Sequence, residues 1–376
     1  MTRSKYLSGA IEGLDKLVQH SYKSMCLIHA PAYRAMYSGG AGIAYTFWKA
    51  ACFLDDAEWL HQARFWIDHV IAAPEDDPIM RIPEKPSEFI EINPRDSLLF
   101  GNRGVWFVKA LIAAAEDNKP ALEKSLKYFT EPAGQQSETQ EYLQGTAGRL
   151  VGCALLYRET GEEILKKYGD SLAAQLIDSA GFSNTDVPWC KNRKLGFAHG
   201  RAGIYYGLLS WNRETSHPLP DQLYSGLRQF ALSGRKQDYG LAWPIAEDND
   251  DEYMDGWCNG APGMIHLWCL AYNQYNEPLF LDIARETGKY CTNVRDSGFG
   301  HICCGAAGIA YALLSLNQID PQSSWINHAA RYVYMANNGS PMKTWSLSLY
   351  GGLAGIVCLM LDMENPENAG QPAVGG

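Results

Sequence analysis

Two kinds of hydrophobic run alternate along this chain. The first kind is almost free of charge and apolar on every side: IAYTFWKAACFL, VWFVKALIAAA, RLVGCALLY, IYYGLLSW, MIHLWCLAY, IAYALLSL and IVCLMLDM. A helix with no wet face belongs inside a protein. The second kind repeats apolar positions every three or four residues against a charged face, as in DDAEWLHQARFWIDHVI (55–71), NKPALEKSLKYFT (118–130), GEEILKKYGDSLAAQLIDSA (161–180) and EPLFLDIARETGKYCTNV (277–294). These predict outer helices with one solvated side, opened by Asp55, Asn118 and Asn276 as caps. No stretch alternates strictly enough to predict a strand.

Each dry run follows a Gly-x-x-Gly pair, and the pair occurs seven times: 39/42, 101/104, 145/148, 200/203, 260/263, 305/308 and 352/355. The spacing is roughly 45–60 residues, at or just beyond the period of helical repeat proteins. Glycines three apart share a helical face and admit a neighbouring backbone. Seven dry helices alternating with seven wet ones predict an all-α fold, an α/α toroid with seven inner and seven outer helices. An open solenoid, the second solution, would leave each inner helix one exposed side. The repeat spans a single domain, 1–363, and the Gly/Pro/polar segment 364–376 is expected to be a flexible tail. The Pro-rich segment 74–94 reads as a long loop.

Composition narrows the class. The chain has 376 residues, 46% hydrophobic and 20% charged, enough for a sizeable core and too apolar for disorder. A formal charge of −10 argues against a general nucleic-acid binder or a protein drawn to anionic membranes. The opening MTRSKYLSGAIEGLDKL is charged throughout and lacks the apolar core of a signal peptide. The stretches 297–319 and 344–361 are broken by glycine pairs and polar residues, so they predict buried helices and no membrane span. Ten cysteines in a chain of this length read as reduced thiols of a cytoplasmic protein, where special cysteines bind metal or catalyse.

In a ring whose inner helices run the same way, the residues just before each glycine pair converge at one end of the axis. Helix N-termini meet there too and favour anions. Cys258 lies two before Gly260, Cys303 and Cys304 directly precede Gly305, His199 directly precedes Gly200, and Glu141 lies four before Gly145. Three thiols would leave one position open on zinc, the mark of a catalytic site, with an acid/base group beside it. Taken singly, each has a plainer reading: Cys258 as a small core residue, His199 as a core or capping histidine, Glu141 as a first-turn carboxylate. Cys26, Cys52, Cys153, Cys269, Cys291 and Cys358 read as ordinary core residues. His301, close to Cys303, is an alternative ligand to one of the cysteines. The acidic run EDNDDEYMD (247–255) reads as a solvated loop or as an electronegative rim for basic peptides.

Together GFAHGRAGIYY, WCNGAPG, CCG and the seven glycine pairs resemble the lanthionine synthetase C-like (LanC-like) family over residues 37–363. The resemblance implies an α/α toroid carrying one Zn2+ ion and addition of a thiol to dehydroalanine or dehydrobutyrine in a peptide. Cys258, Cys303 and Cys304 match the metal ligands, with Cys304 standing where the family usually has histidine. His199 matches the acid/base histidine, and Glu141 falls where bacterial cyclases tend to have Asp. Two positions depart from the pattern. Met254 occupies the place of an arginine, and Asn259 that of a tyrosine or histidine. Stabilisation of the enolate is therefore sought at Arg103, Arg149 or Arg201.

The implied function is a zinc-dependent lanthipeptide cyclase that joins a Cys thiol to a dehydroamino acid. Its partners would be a dehydrated precursor peptide and a separate dehydratase or kinase/lyase acting in trans. The alternatives are an enzyme that adds glutathione to dehydroamino acids and a non-catalytic zinc-bearing toroid that binds peptides.

Overall fold

The computed structural model describes residues 4–25, 34–72, 96–131, 139–181, 193–249, 251–295, 297–340 and 347–375. The segment 74–94, Cys26 and Cys190 lie outside the described residues.

Among the described residues, seven inner helices hold the expected dry runs: α2 (Gly40–Leu54), α4 (Asn102–Ala115), α6 (Thr146–Thr160), α8 (Arg201–Thr215), α10 (Ala261–Tyr275), α12 (Ala306–Ile319) and α14 (Leu353–Asp362). Each packs against the next, and α14 packs back against α2, so the ring closes. The outer ring comprises α1 (Lys5–Met25), α3 (Ala57–Ala72), α5 (Lys119–Thr130), α7 (Glu163–Ser179), α9 (Asp221–Leu232), α11 (Pro278–Thr292) and α13 (Ser323–Asn338). An outer helix generally covers the inner helix it follows. The first helix, α1, instead covers the last, α14, which joins the two ends of the chain. The fold is the α/α toroid, and the solenoid alternative is excluded by this closure.

A collar of hydrogen bonds ties the repeats together ahead of the inner helices. The residue two before each first glycine bonds to its counterpart in the next repeat. The Tyr350 N–H donates to Tyr37, Tyr37 to Leu99, Leu143 to Ala198, Ala198 to Cys258, Cys258 to Cys303 and Cys303 to Tyr350, at 2.7–3.3 Å. Where the seventh bond would fall, the Ser97 hydroxyl donates to the Leu143 carbonyl at 2.8 Å. Directly beneath, the residues three before the glycines are all sealed from solvent, and Tyr142, Phe197 and Trp257 meet with ring centroids 4.9–5.8 Å apart. This layer floors the axis.

The glycine pairs work differently from the expectation. The first glycine is the N-cap of its helix in extended backbone, so the two do not share one helical face. At the second, a Cβ would sit 2.0–2.2 Å from the carbonyl oxygen six residues earlier. The pair therefore lets each helix turn tightly onto the loop that feeds it.

Several expectations are corrected. Asn118 does cap α5, accepting from the Ala121 N–H at 3.2 Å. Asp55 and Asn276 instead end α2 and α10 in left-handed backbone, and Asp56 accepts from the Glu58 N–H. Against the expectation of no strand, β1 (Arg235–Gln237) pairs with β2 (Gly240–Ala242) in a hairpin, whose three-residue strands carry too little alternation to read from sequence. The expected frayed tail is packed inside the ring. Gln318 donates to the Pro366 and Ala369 carbonyls and Lys49 to Gly370. The hydroxyls of Tyr350, Tyr142 and Tyr206 donate to Pro372, Ala373 and Val374. Its polar backbone is thus satisfied by side chains lining the bore, a partner set that composition cannot reveal. No helix among the described residues is long and apolar enough to cross a membrane.

Candidate metal centre and acid–base pair

The collar places Cys258 and Cys303 as neighbours, because they hold the same position in consecutive repeats. Cys304 follows one residue later. Its sulfur lies 3.5 Å from that of Cys258 and 3.4 Å from that of Cys303. All three sulfurs fall within 4.8 Å of one another, and none is in a disulfide. Sulfurs held tetrahedrally around zinc at about 2.3 Å stand roughly 3.8 Å apart, so the trio fits one ion with an open fourth position. Within the trio the Cys304 thiol is pushed down, first by its hydrogen bonds with Cys258 and Cys303, while the thiols of Cys258 and Cys303 are pushed up, so the cluster holds one negative charge most readily on Cys304. A thiolate is what a metal requires.

His301 is not part of this trio. Its ring is buried, and Nδ1 accepts from the Cys304 backbone N–H at 3.3 Å. Burial pushes its pKa below the usual histidine value, which keeps it a neutral acceptor. Its work is to hold the turn that presents Cys304.

His199 and Glu141 form the second element. The residue four before one glycine pair faces the residue one before the next pair, and these two occupy that register. His199 Nδ1 lies 3.1 Å from Glu141 Oε2, and the other carboxylate oxygen accepts the Gln144 N–H. The carboxylate thus favours the Nδ1–H tautomer of the ring. Glu141 is 5% exposed and His199 is reachable. The next two repeats carry glycine at the corresponding position. A Cβ on Gly196 would meet Asn259 at 2.5 Å, and one on Gly256 would meet Cys304 at 2.8 Å. These close approaches bring the turns of the metal-side repeats together.

Tyr37 was not anticipated. It stands two before Gly39, the register shared by Cys258 and Cys303, which was the signal available. Its ring stacks on Tyr350 at 5.0 Å and its hydroxyl bonds to Cys303. Burial first, then the cysteine sulfurs, hold that hydroxyl well above its ordinary pKa, so it stays protonated.

The arginines expected to face an enolate are engaged elsewhere. Arg103 is 2% exposed and donates to Asp96 and to the Tyr128 and Phe129 carbonyls. Arg149 is 1% exposed beside the same Asp96, and Arg201 pairs with Glu247. The acidic run is partly engaged too: Arg193 pairs with Asp248, and Asp255 accepts a hydrogen bond from the Tyr290 hydroxyl. A cavity of about 400 Å³, lined by Lys49, Cys52, Arg158 and Gln371 among others, lies beside the packed tail and includes none of Cys258, Cys303 and Cys304.

Comparison with known proteins agrees with this architecture. The family model described as "Lanthionine synthetase C-like protein" matches residues 31–374. "Glutathione S-transferase LANCL1" of Danio rerio is 27% identical over 198 residues, 49% of this chain and 46% of that protein, so the match spans less than half of the relative. "LanC-like protein GCL1" of Arabidopsis thaliana is 26% identical over 310 residues, 73% of this chain and 69% of the relative. Among solved structures, "Nisin cyclase" superposes with a TM-score of 0.69 at 13% identity, covering 94% of both chains. The chain belongs to the lanthionine synthetase C-like protein family.

Proposed function

We propose that this protein is a zinc-dependent cyclase that adds a peptide's Cys thiol to a dehydroalanine or dehydrobutyrine in the same peptide, closing a thioether ring. The observation that carries the reading is the juxtaposition at one end of the toroid of a three-sulfur cluster and the His199–Glu141 pair in the adjoining repeats. Cys258, Cys303 and Cys304 would hold the ion. Bound there, zinc would lower the pKa of an incoming thiol so that a thiolate exists near neutral pH. Glu141 orients His199, and His199 Nε2 gives the proton that Cα takes after the sulfur has joined Cβ. The aromatic floor closes the axis below the cysteines, so the peptide approaches from the collar side. The dehydrated peptide would be made by a separate dehydratase or kinase/lyase, and such chemistry belongs to the cytoplasm.

A second reading is favoured by one specific comparison: the Danio rerio relative bears the name of a glutathione S-transferase. Here glutathione would supply the thiol. Incubating the purified protein with a dehydrated, Cys-containing peptide, with and without glutathione, separates the two. Ring closure leaves the mass unchanged and removes one free thiol, whereas glutathione addition raises the mass by one tripeptide. Thioether in neither case, with zinc bound, would leave a peptide-binding toroid and end both enzymatic readings.

A further inference from the structure

Thiol addition needs a group that neither the metal cluster nor His199 provides. As sulfur bonds to Cβ, the Cα=Cβ pair shifts toward the adjoining carbonyl, and negative charge falls on that oxygen until Cα is protonated. Lysine and arginine are absent from 237–284, and the cations at the repeat starts are held by carboxylates or carbonyls. A donor near the reacting sulfur is still required, because the oxygen lies only three bonds from the carbon attacked.

We propose that the Asn259 carboxamide is that donor, with Nδ2–H bonded to the carbonyl oxygen of the dehydroamino acid. This rests on the thiol-addition reading above. Asn259 holds the collar position between His199 in the preceding repeat and Cys304 in the following one. Its Nδ2 donates one N–H to Cys258 Sγ at 3.8 Å, which puts the amide beside the metal cluster with its second N–H still to give. Its Oδ1 is sealed from solvent with no hydrogen-bond partner. The backbone of Gly196 seals it, since a Cβ there would stand 2.8 Å from Oδ1. The residue as a whole is nevertheless only partly buried. With the oxygen sealed, the amide can meet a substrate only through Nδ2. A neutral donor also suits a cluster whose three sulfurs would be thiolates on a bound metal, beside which a cation would be drawn to sulfur and away from substrate.

The test compares Asn259→Ala and Asn259→Asp with wild type, measuring kcat, KM, metal content and melting temperature on a dehydroalanine peptide with the thiol that wild type accepts. Removing one oxyanion donor elsewhere costs about 100-fold or more in kcat. Asn259→Ala is expected to lose that much with KM changed far less and metal retained. Asn259→Asp, of the same shape but with no N–H and a negative charge, is expected to fall at least as far. A kcat for either variant within about threefold of wild type overturns the proposal. So does a loss of metal in proportion to activity, which would assign the amide to holding Cys258. Wild type that forms no thioether with any thiol fails the function reading and this inference with it, whereas active wild type with unimpaired variants fails this inference alone.

Discussion

At the scale of single residues, the collar register decides which side chains meet. Cys258, Cys303, Cys304, His199 and Glu141 were legible because each stands a fixed number of residues before a glycine pair. Tyr37 obeys the same register and was overlooked because tyrosine is an ordinary core residue. Two predictions belong here. Glu141→Ala releases the His199 ring, and His199→Ala removes it, so both should lower kcat, the latter by about 100-fold or more for loss of a general acid. Metal content should stay at one zinc per chain, as measured by elemental analysis, since neither residue belongs to the sulfur trio. Cys304→His exchanges a thiolate for a neutral donor and removes one negative charge from the cluster. A zinc ion so held keeps an attacking thiolate more tightly, so addition should be slower with the metal retained. An unchanged rate would remove the electrostatic account of the Cys-Cys-Gly sequence.

At the scale of elements, the dry runs and wet runs fixed helix positions to within a few residues, because 3.6-residue periodicity survives in any context. The caps were less legible. Asp55 and Asn276 suit a helix start by residue type, yet both sit where a short connection makes the end of one helix compete with the start of the next. The glycines carry the sharpest prediction. A Cβ on Gly263 would lie 2.2 Å from the Trp257 carbonyl oxygen and 2.6 Å from Phe197 Cβ. Backbone on one side and a floor residue on the other leave nothing to yield. Gly263→Ala should therefore lower stability by about 3 kcal/mol or more, read as a lower denaturation midpoint. Gly161→Ala, with open space around its Cβ but a φ of +67°, should cost less.

At the scale of the whole molecule, closure and the packed segment 364–375 act together. Three tyrosine hydroxyls buried in the bore have carbonyls of this segment as acceptors. Deleting 364–376 would strand them at roughly 1–3 kcal/mol each, so thermal unfolding should occur at a markedly lower temperature. The segment also meets His266, whose Nε2 lies 3.2 Å from Gln371 Oε1 and whose Nδ1 lies 2.9 Å from Ser315 Oγ. Burial pushes His266 down to about 4 from 6.5. The unfolded chain thus takes up this proton first on acidification. Stability present above pH 6.5 is lost as pH falls toward about 4, by roughly 3 kcal/mol from this group. Melting temperatures of wild type and His266→Gln between pH 7.5 and 4.5 should converge as pH falls. Parallel curves would show that His266 does not set the slope.

The sequence by itself determined the number, order and dryness of the helices and which chemistry stands at each repeat start. Periodicity and spacing are local properties, written into neighbouring residues. Only the tertiary structure decided that Arg103 and Arg149 are sequestered by Asp96, that Asn259 is sealed on its oxygen side, and that 364–375 fills the bore. Each of these depends on partners far away in the chain. Buried polar groups must find such partners, and a linear sequence does not say which ones come within reach.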